Sequence, residues 1–488
     1  MVNANRDFFA RAAVLLLAAV VLTAIAWHRG AEYDEQYTLF VTSGTPRPIW
    51  TEAAFPARDV VRVQAGHAGL AEIAHDLRRT DVHPPLYFWA VALWRPLAGG
   101  GLFPVRLLSV LFGLGALGAV GTIARRCDID PATAMLLTLG CYGFAYTAAI
   151  ARGFVLAQML TLFGLVAVLS GRRFLAGILL GGAVATNYLA VFAGLAVAGL
   201  AVAAGGWRDR LRTAAGFSPG IVAAYWFFLA QRGSRAGQFP PFEWLTALMR
   251  LARYGAATLT GGLPMYAPEG VRSSIAGALA AGLVAVGALV VRGWRRIGLP
   301  RQVLLLAGAA IAPPIGLLAL GVVFDNTPIE LRYLSFSTPF VALLVAGARP
   351  PRLALAAILA VQAASLAGLI VRPETMQPAH DTAVAAARLA GEGAVLLPRG
   401  NDGVGIVGAF AGDAPPGMRL LIVGPDETVE KIRLRIRPFR RIVLAALAQD
   451  ADSRSALAVM ETALQCPGWH EIARGFNVVA YRNVERPE

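Results

Sequence analysis

The sequence has 488 residues, of which 57% are hydrophobic, and its formal net charge is +14. Its mean hydropathy is +0.58. Apolar runs such as Leu175 to Leu200 are longer than the roughly 20 residues that cross a bilayer. This composition excludes an ordinary soluble globular protein. Because the excess charge is arginine placed between apolar runs, it suits membrane loops and lipid headgroups and argues against nucleic-acid binding.

Window length and loop charge predict about eleven membrane spans. The first, Phe8 to Trp27, has no small-residue cleavage site behind it, so we predict an anchor and not a removable signal peptide. The segment from Pro84 to Pro96 is predicted to lie along the membrane interface, because Arg95-Pro96 interrupts it. The remaining spans are predicted at Val105 to Ala124, Pro131 to Ala149, Phe154 to Ser170, Phe174 to Ala190, Val191 to Ala204, Ala214 to Ala230, Val271 to Val291, Val303 to Phe324, Tyr333 to Ala348 and Leu353 to Val371.

The placement of arginine predicts how the membrane module, residues 1–372, is oriented. Each short loop that this arrangement places inside carries at least two arginines. The outer loops at 28–83 and 231–270 are longer and hold most of the acids of the module. By the positive-inside rule, we predict a multi-pass membrane protein with a cytoplasmic N-terminus.

The tail, residues 373–488, has a different character. Strand-like runs at Val395 to Leu397, Leu420 to Val423 and Ile442 to Leu444 alternate with helix-like segments. This alternation predicts a small extracytoplasmic α/β domain with a parallel sheet. The fold class is therefore a multi-span α-helical membrane protein with a C-terminal extracytoplasmic α/β domain.

A glycine motif in the tail leaves two interpretations open. Gly403-x-Gly405-x-x-Gly408 follows the first strand, as in a dinucleotide-binding fingerprint. However, Pro398 to Asp402 separates the strand from the glycines, whereas the fingerprint needs them in the strand-to-helix turn. The alternative is a tail that covers a cleft or grips an acceptor.

Two groups of polar residues flank the first outer loop. Asp34 and Glu35 follow the first span, and Asp81 and His83 precede the next apolar segment. A carboxylate at a water–membrane boundary can stay ionised and take a proton from an acceptor hydroxyl. The alternatives are structural, because Asp34 and Glu35 can cap a solvated helix end and the two prolines after His83 can simply start a helix.

Two arginines are candidates for binding a phosphate. Arg152 and Arg332 both lie at predicted outer ends of spans. A guanidinium can bind two phosphate oxygens at once and stabilise the negative charge of a leaving group. The alternative interpretation is an interfacial arginine that only snorkels to the headgroups.

The polar groups together resemble a known family pattern. Asp34-Glu35 just after the first span, followed by Asp81-x-His83-Pro84-Pro85-Leu86-Tyr87, is similar to GT-C glycosyltransferases of the protein mannosyltransferase and lipid A aminoarabinose transferase type. The resemblance extends to about Val371. It implies a polytopic fold, a polyprenyl-phosphate-linked sugar as donor and an acid of the first outer loop as catalytic base.

The same resemblance assigns roles to individual residues. It implies that Asp34 is the general base and that Glu35 and Asp81 assist it. The implied substrate-binding residues are His83, Tyr87, Arg152, Arg332 and Tyr333.

The predicted reaction transfers a sugar from the polyprenyl-phosphate donor to a hydroxyl of a lipid, glycan or protein acceptor, with inversion. We expect no cofactor, and a divalent metal is not favoured because the first outer loop lacks an Asp-x-Asp pair. The alternative from another class is a membrane transporter or flippase, which would place ionisable residues at the bilayer midplane. A polysaccharide polymerase or ligase that uses lipid-linked sugars is a further alternative.

Overall fold

The computed structural model describes residues 2–232, 239–297, 301–372 and 378–484. The chain divides into two compact units. The membrane unit comprises Met1–His28, Leu77–Tyr87 and Arg106–Arg372, and the sheet unit comprises Arg29–Asp76, Phe88–Val105 and Pro373–Glu488. The predicted domain boundary at 372/373 and part of the predicted outer loop 231–270 fall at residues 373–377 and 233–238, outside the described residues.

Helices form most of the described part of the chain. In chain order they are α1 Val2–His28, α2 Tyr33–Thr42, α3 Ala57–Gln64, α4 Leu70–Thr80, α5 Leu86–Ala98, α6 Leu102–Arg126, α7 Pro131–Gly140, α8 Tyr142–Ala148, α9 Phe154–Leu169, α10 Arg173–Val184, α11 Ala190–Ala204, α12 Trp207–Gln231, α13 Trp244–Thr260, α14 Leu263–Tyr266, α15 Glu269–Ile297, α16 Arg301–Phe324, α17 Thr338–Gly347, α18 Arg352–Val371, α19 Ala379–Ala390, α20 Gly405–Asp413, α21 Val429–Ile436 and α22 Ala451–Leu464. A 3₁₀ helix, Leu331–Ser337, precedes α17.

The apolar helices account for the predicted spans. Within the described residues, six helices are long and apolar enough to cross a membrane, judged by length and composition: α1, α6, α12, α15, α16 and α18. Shorter apolar segments are α7, α9, α10, α11 and Leu331–Gly347. Each of these segments overlaps one predicted span. The multi-span α-helical class is therefore confirmed.

The predicted span Pro131 to Ala149 is not one continuous helix. Its backbone leaves the helical conformation at Cys141, which has φ −62° and ψ 117° and separates α7 from α8. Gln362 of α18 inserts at this point, and its amide donates to the Leu137 carbonyl at 3.2 Å. Gly140 makes room for it, since a Cβ there would lie 2.3 Å from the Gln362 Oε1. A polar side chain that enters the helical hydrogen-bond ladder is a common cause of such breaks.

The sheet unit contains one six-stranded sheet. Its strands are β1 Phe55–Pro56, β2 Ala394–Pro398, β3 Arg419–Val423, β4 Arg441–Ala445, β5 Trp469–Gly475 and β6 Val478–Asn483, in the spatial order β1-β3-β2-β4-β6-β5. The strands β3, β2 and β4 are parallel, as predicted. The antiparallel β1 comes from the first outer loop, and the β5–β6 hairpin closes the other edge.

Helices cover both faces of this sheet. One face packs against α2, α3, α19 and α20, with Phe40, Val60 and Phe410 among the buried side chains. The opposite face packs against α21 and α22 through Ile432 and Met460. Strands buried on both sides account for the nearly unbroken apolar runs that predicted them. The predicted α/β domain is therefore confirmed and includes part of the first outer loop.

The glycine motif of the tail permits close packing between helices. A Cβ at Gly405 would lie 2.2 Å from Cε2 of Tyr33, and one at Gly408 would lie 2.6 Å from Oε1 of Gln36. Both contacts come from α2, which lies directly on α20. The ring of Tyr33 thus lies against the first residue of α20, where a dinucleotide would need to place its pyrophosphate. This contact argues against the dinucleotide interpretation.

A buried arginine holds the first outer loop together within the sheet unit. Arg95 of α5 is 4% exposed and donates to the Thr42 hydroxyl at 2.8 Å and the Gly66 carbonyl at 2.7 Å. It also donates to the carbonyls of Leu39 and Gln64. Burial lowers the pKa of Arg95 to about 10. The guanidinium donates hydrogen bonds to several carbonyl groups that water would otherwise bind.

We expect Arg95→Met to destabilise the protein by about 2–4 kcal/mol, because several buried acceptors would lose their donor. Thermal unfolding of the detergent-purified variant should show a lower melting temperature. The matched control is Arg62→Met, because Arg62 has a side chain 75% exposed and pairs with Asp59 at the surface. Equal melting temperatures for the two variants would contradict this role for Arg95.

Candidate functional site

The membrane unit contains a buried ionic cluster formed by Asp81, His83 and Arg152. The Asp81 Oδ1 lies 3.0 Å from the His83 Nδ1, and the Asp81 Oδ2 lies 3.6 Å from the Arg152 Nη1. The Arg152 Nη2 lies 2.9 Å from the same His83 Nδ1. The side chains of Asp81 and Arg152 are only 3% and 5% exposed. The structure thus brings together three residues that the sequence places in two distant segments.

Local sequence explains why these side chains can meet. Helix α4 ends at Thr80, and the prolines that follow His83 delay the start of α5 until Leu86, so the backbone between them is free of helical hydrogen bonds. Arg152 lies in the turn between α8 and α9. Gly153 follows it, and a Cβ there would lie 3.0 Å from the Cβ of Tyr87 and 3.1 Å from the Cγ2 of Thr186. The glycine therefore allows the α5 segment to approach Arg152.

The charges of the cluster determine its protonation. Burial alone would raise the pKa of the Asp81 carboxyl, but the Arg152 guanidinium, His83 and the Val82 amide together hold it well below its ordinary range. Asp81 is therefore ionised at neutral pH. The Nδ1 of His83 cannot both donate to Asp81 and accept from Arg152, so the two neighbours favour different tautomers. An anion that binds Arg152 would change this balance.

A glutamine that sequence reasoning missed holds the backbone of the cluster. Gln231, at the end of α12, is 5% exposed. Its Nε2 donates to the Leu77 carbonyl at 2.7 Å and to the His83 carbonyl at 3.1 Å. Its Oε1 accepts from the Tyr188 hydroxyl at 2.7 Å. The only signal in the sequence was a polar residue at the end of a predicted span.

Tyr87, a predicted substrate-binding residue, lies in the helix packing beside the cluster. It is fully buried, and its hydroxyl lies 2.9 Å from the Ser109 hydroxyl of α6. Leu86 donates its backbone N–H to the Ala185 carbonyl at 3.3 Å, which fixes the start of α5 within the membrane unit. Contact between Tyr87 and substrate stays a prediction.

Arg332 and Tyr333 lie in the 3₁₀ helix Leu331–Ser337 of the same unit. Arg332 forms an ion pair with Glu330 at 2.7 Å, and its side chain is 13% exposed. The ring centroid of Tyr333 lies 6.2 Å from that of Phe154. Phe154 is the first residue of α9, two positions after Arg152. The two candidate arginines therefore lie in segments that pack around the same aromatic side chain.

Asp34 and Glu35 lie in the first turn of α2, in the sheet unit. Glu35 is fully buried and completes a capping box, in which its carboxylate accepts from the Glu32 backbone N–H at 3.1 Å. Glu32 also pairs with Arg29. Glu35 thus has a structural task in this helix. Asp34 is half-buried.

The first turn of α2 is attached to the carboxyl ends of the parallel strands. The Tyr33 hydroxyl lies 3.3 Å from the Asn401 Oδ1 and 3.5 Å from the Asp450 Oδ2, either of which can accept its proton, in the loops that follow β2 and β4. The Tyr37 hydroxyl donates to that of Tyr33 at 3.0 Å. Burial raises the pKa of both tyrosines and of Asp402. Sequence reasoning missed this network, which holds the helix that carries Asp34.

Metal donors are sparse in the described part of the chain. Across residues 2–232, 239–297, 301–372 and 378–484, no three side chains of His, Cys, Asp or Glu are arranged to hold a metal ion. The Asp81–His83–Arg152 cluster offers one carboxylate and one imidazole beside a cation. Its chemistry suits an anion that can share the guanidinium, such as a phosphate.

Part of the chain around this cluster matches a known protein family model. Residues 82–231 match the family model described as dolichyl-phosphate-mannose-protein mannosyltransferase. This segment contains His83, Tyr87 and Arg152. Among curated protein sequences, none matches the chain.

The chain is similar to solved structures, and one of them shares the fold at a TM-score of 0.50. ArnT from Cupriavidus metallidurans, in a crystal structure bound to undecaprenyl phosphate, is 15% identical, with a TM-score of 0.50 over 97% of this chain and 98% of that chain. The archaeal oligosaccharyltransferase AglB from Archaeoglobus fulgidus is 12% identical, with a TM-score of 0.40 over 97% of this chain and 74% of that chain. The predicted resemblance to GT-C proteins is confirmed.

Proposed function

We propose that this chain, which has the GT-C fold, transfers a sugar from a polyprenyl-phosphate-linked donor to an acceptor hydroxyl. The observation that carries the proposal is the buried Asp81–His83–Arg152 cluster. His83 and Arg152 lie within the segment that matches the mannosyltransferase family model, and Asp81 directly precedes it. The fold shared with ArnT, which was crystallised with undecaprenyl phosphate, supports a lipid phosphate as the donor group.

In this proposal, arginines of the membrane unit bind the phosphate of the donor. When the anomeric carbon–oxygen bond breaks, negative charge grows on the lipid phosphate. Arg152 and Arg332 can each donate two hydrogen bonds to phosphate oxygens and stabilise that charge. Asp81 holds Arg152 in place, and His83 can supply a further donor once the phosphate draws the guanidinium away from its Nδ1. Tyr333 lies beside Arg332.

The acceptor is activated by Asp34 in this proposal. Its ionised carboxylate takes the proton of the acceptor hydroxyl while that oxygen attacks the anomeric carbon. Attack from the face opposite the leaving phosphate inverts the anomeric configuration. Glu35 assists by fixing the helix turn that carries Asp34, because its carboxylate caps that turn.

Donor and acceptor meet at a membrane in this proposal. The donor is a polyprenyl-phosphate sugar of the bilayer, and the acceptor is a lipid, a glycan or a protein. The reaction takes place at the outer face of a bacterial-type cytoplasmic membrane, with the N-terminus inside and the sheet-forming tail outside. The arginine-rich short loops support this orientation.

We expect transfer to be independent of divalent metal. In this proposal the arginines neutralise the negative charge that grows on the leaving phosphate, so no metal ion is needed for that task. Transfer rates should therefore be the same in EDTA as in added magnesium or manganese. A rate that falls in EDTA and returns with one of these ions would contradict this expectation.

The function can be tested with purified protein in detergent. The protein is incubated with polyprenyl phosphate that carries a radiolabelled sugar, together with candidate lipid, glycan or protein acceptors. We expect the label to leave the lipid fraction and appear on one class of acceptor. Label that stays on the lipid with every acceptor, while the donor binds the protein, would count against a transferase.

A further inference from the structure

Gln158 is a buried polar residue that the proposed reaction does not use. It lies in α9, less than two turns beyond Arg152, and is 2% exposed. Its Nε2 donates to the Thr147 hydroxyl at 3.1 Å and to the Ser335 hydroxyl at 3.0 Å. The three side chains thus form one hydrogen-bonded junction between α8, α9 and the 3₁₀ helix Leu331–Ser337.

The hydroxyl groups determine which way the amide points. The Thr147 hydroxyl donates to the Gly143 carbonyl at 2.7 Å, and the Ser335 hydroxyl donates to the Arg332 carbonyl at 2.6 Å. Because a hydroxyl has a single proton, both oxygens must accept from the amide nitrogen of Gln158.

This orientation costs stability. The Gln158 Oε1 is buried and has no hydrogen-bond partner among the described residues. A buried acceptor without a donor is unfavourable, and an apolar side chain of the same shape would avoid that cost. Stability alone therefore does not explain why this position holds a glutamine. The connection that its amide makes between two segments does explain it.

The junction joins the two segments that carry the candidate phosphate arginines. Thr147 precedes and Gln158 follows the turn that contains Arg152, so their hydrogen bond closes this turn. Ser335 lies one 3₁₀ turn after Arg332 and bonds its carbonyl. Aromatic packing reinforces the same interface, because the ring centroid of Phe154 lies 6.3 Å from that of Phe336.

We propose that Gln158 is a positioning residue that sets the spacing between Arg152 and Arg332 for the phosphate of a lipid-linked donor. This inference rests on the proposed function. Gln158 does not touch the substrate and acts through the two backbone segments that it joins. Two guanidinium groups can bind oxygens of the same phosphate only at a fixed separation, and a shift of about 1 Å can cost roughly a hundredfold in rate.

The test replaces the amide by an apolar side chain of similar length. We expect Gln158→Met to raise KM for the lipid-linked donor and Kd for unglycosylated polyprenyl phosphate about tenfold, while KM for the acceptor stays unchanged. The matched control is Thr161→Val. Thr161 is a buried residue of the same helix whose hydroxyl donates to the Ala157 carbonyl of α9. Unchanged donor KM in Gln158→Met, or an equal rise in Thr161→Val, would overturn the proposal.

Ser335→Ala provides a second variant, which removes the bond from Gln158 and the bond of the same hydroxyl to the Arg332 carbonyl, and leaves the Gln158–Thr147 bond in place. It should also raise the donor KM. This variant keeps the proposal testable if Gln158→Met does not fold. A double-mutant cycle separates positioning from general packing. In an Arg332→Ala background, Gln158→Met should add little, because the group that it positions is absent. Fully additive effects would contradict a role through Arg332.

The outcomes also separate this inference from the proposed function. If Arg152→Ala and Arg332→Ala bind polyprenyl phosphate as tightly as the unmodified protein, the phosphate assignment fails and this inference fails with it. If both lose donor affinity while Gln158→Met and Ser335→Ala retain it, only the positioning role of Gln158 is wrong.

Discussion

Replacing Asp34 by asparagine is expected to reduce the turnover number for sugar transfer by roughly a thousandfold or more. Asparagine keeps the shape of the side chain but cannot accept the proton of the acceptor hydroxyl. Asp34 is half-buried in the first turn of α2. The measurement compares turnover at saturating donor and acceptor.

The controls for this variant separate chemistry from folding. The melting temperature and the Kd for polyprenyl phosphate should match those of the unmodified protein, because the donor arginines are untouched. The matched control is Asp59→Asn, since Asp59 is an acid of the same outer loop whose side chain is 38% exposed and pairs with Arg62 at 3.1 Å. Asp59→Asn should keep full activity. Unchanged turnover in Asp34→Asn would show that Asp34 is not the general base.

Replacing Arg152 by alanine is expected to have the second large effect. The variant loses the main donor to the lipid phosphate, so donor affinity and turnover should both fall, together by roughly a hundredfold or more. It also leaves the buried carboxylate of Asp81 without its cation, and removing one partner of a buried ion pair typically costs about 3–5 kcal/mol. Both the catalytic constants and the melting temperature should therefore change.

A second substitution separates the two effects of Arg152→Ala. In the double variant Arg152→Ala with Asp81→Asn, the buried charge is absent, so much of the lost stability should return. Activity should stay low, because the phosphate has still lost its guanidinium. Recovery of activity together with stability would mean that Arg152 serves folding alone. Arg152→Lys should keep part of the stability but bind phosphate less well, since an ammonium lacks the planar fork.

Much of the fold could be predicted because membrane spans have a strong local signal. Apolar runs of the right length located α1, α6 and α16 to within a few residues. The break at Cys141 could not be predicted, since it depends on Gln362, more than two hundred residues away. Tertiary contacts of this kind leave no local pattern in the sequence.

In the sheet, too, only the strands with a local apolar pattern could be predicted. The parallel strands β2, β3 and β4 were predicted because both of their faces are buried and their sequences are apolar after the arginines that begin β3 and β4. The hairpin strands β5 and β6 were not, because an edge hairpin with exposed positions lacks that run. The two-residue strand β1 depends on its pairing with β3 and has no signal of its own.

The sequence predicted individual residues of the candidate site but not how they contact one another. The prolines after His83 and the apolar runs around Arg152 marked both residues as polar positions at span ends. Their contact with each other depends on the packing of the segment that ends at Tyr87 against the turn before α9, which Gly153 permits. Gln158 and Gln231 were not singled out, because a buried glutamine becomes informative only when its partners are known.

The most direct test of the account follows the fate of the lipid. The protein is reconstituted in vesicles with polyprenyl phosphate that carries a labelled sugar, and an acceptor is supplied. We predict that one polyprenyl phosphate is formed for each acceptor that gains a sugar, and that Asp34→Asn forms neither product. Labelled lipid that crosses the bilayer with its sugar still attached, at the same rate in both proteins, would contradict the account.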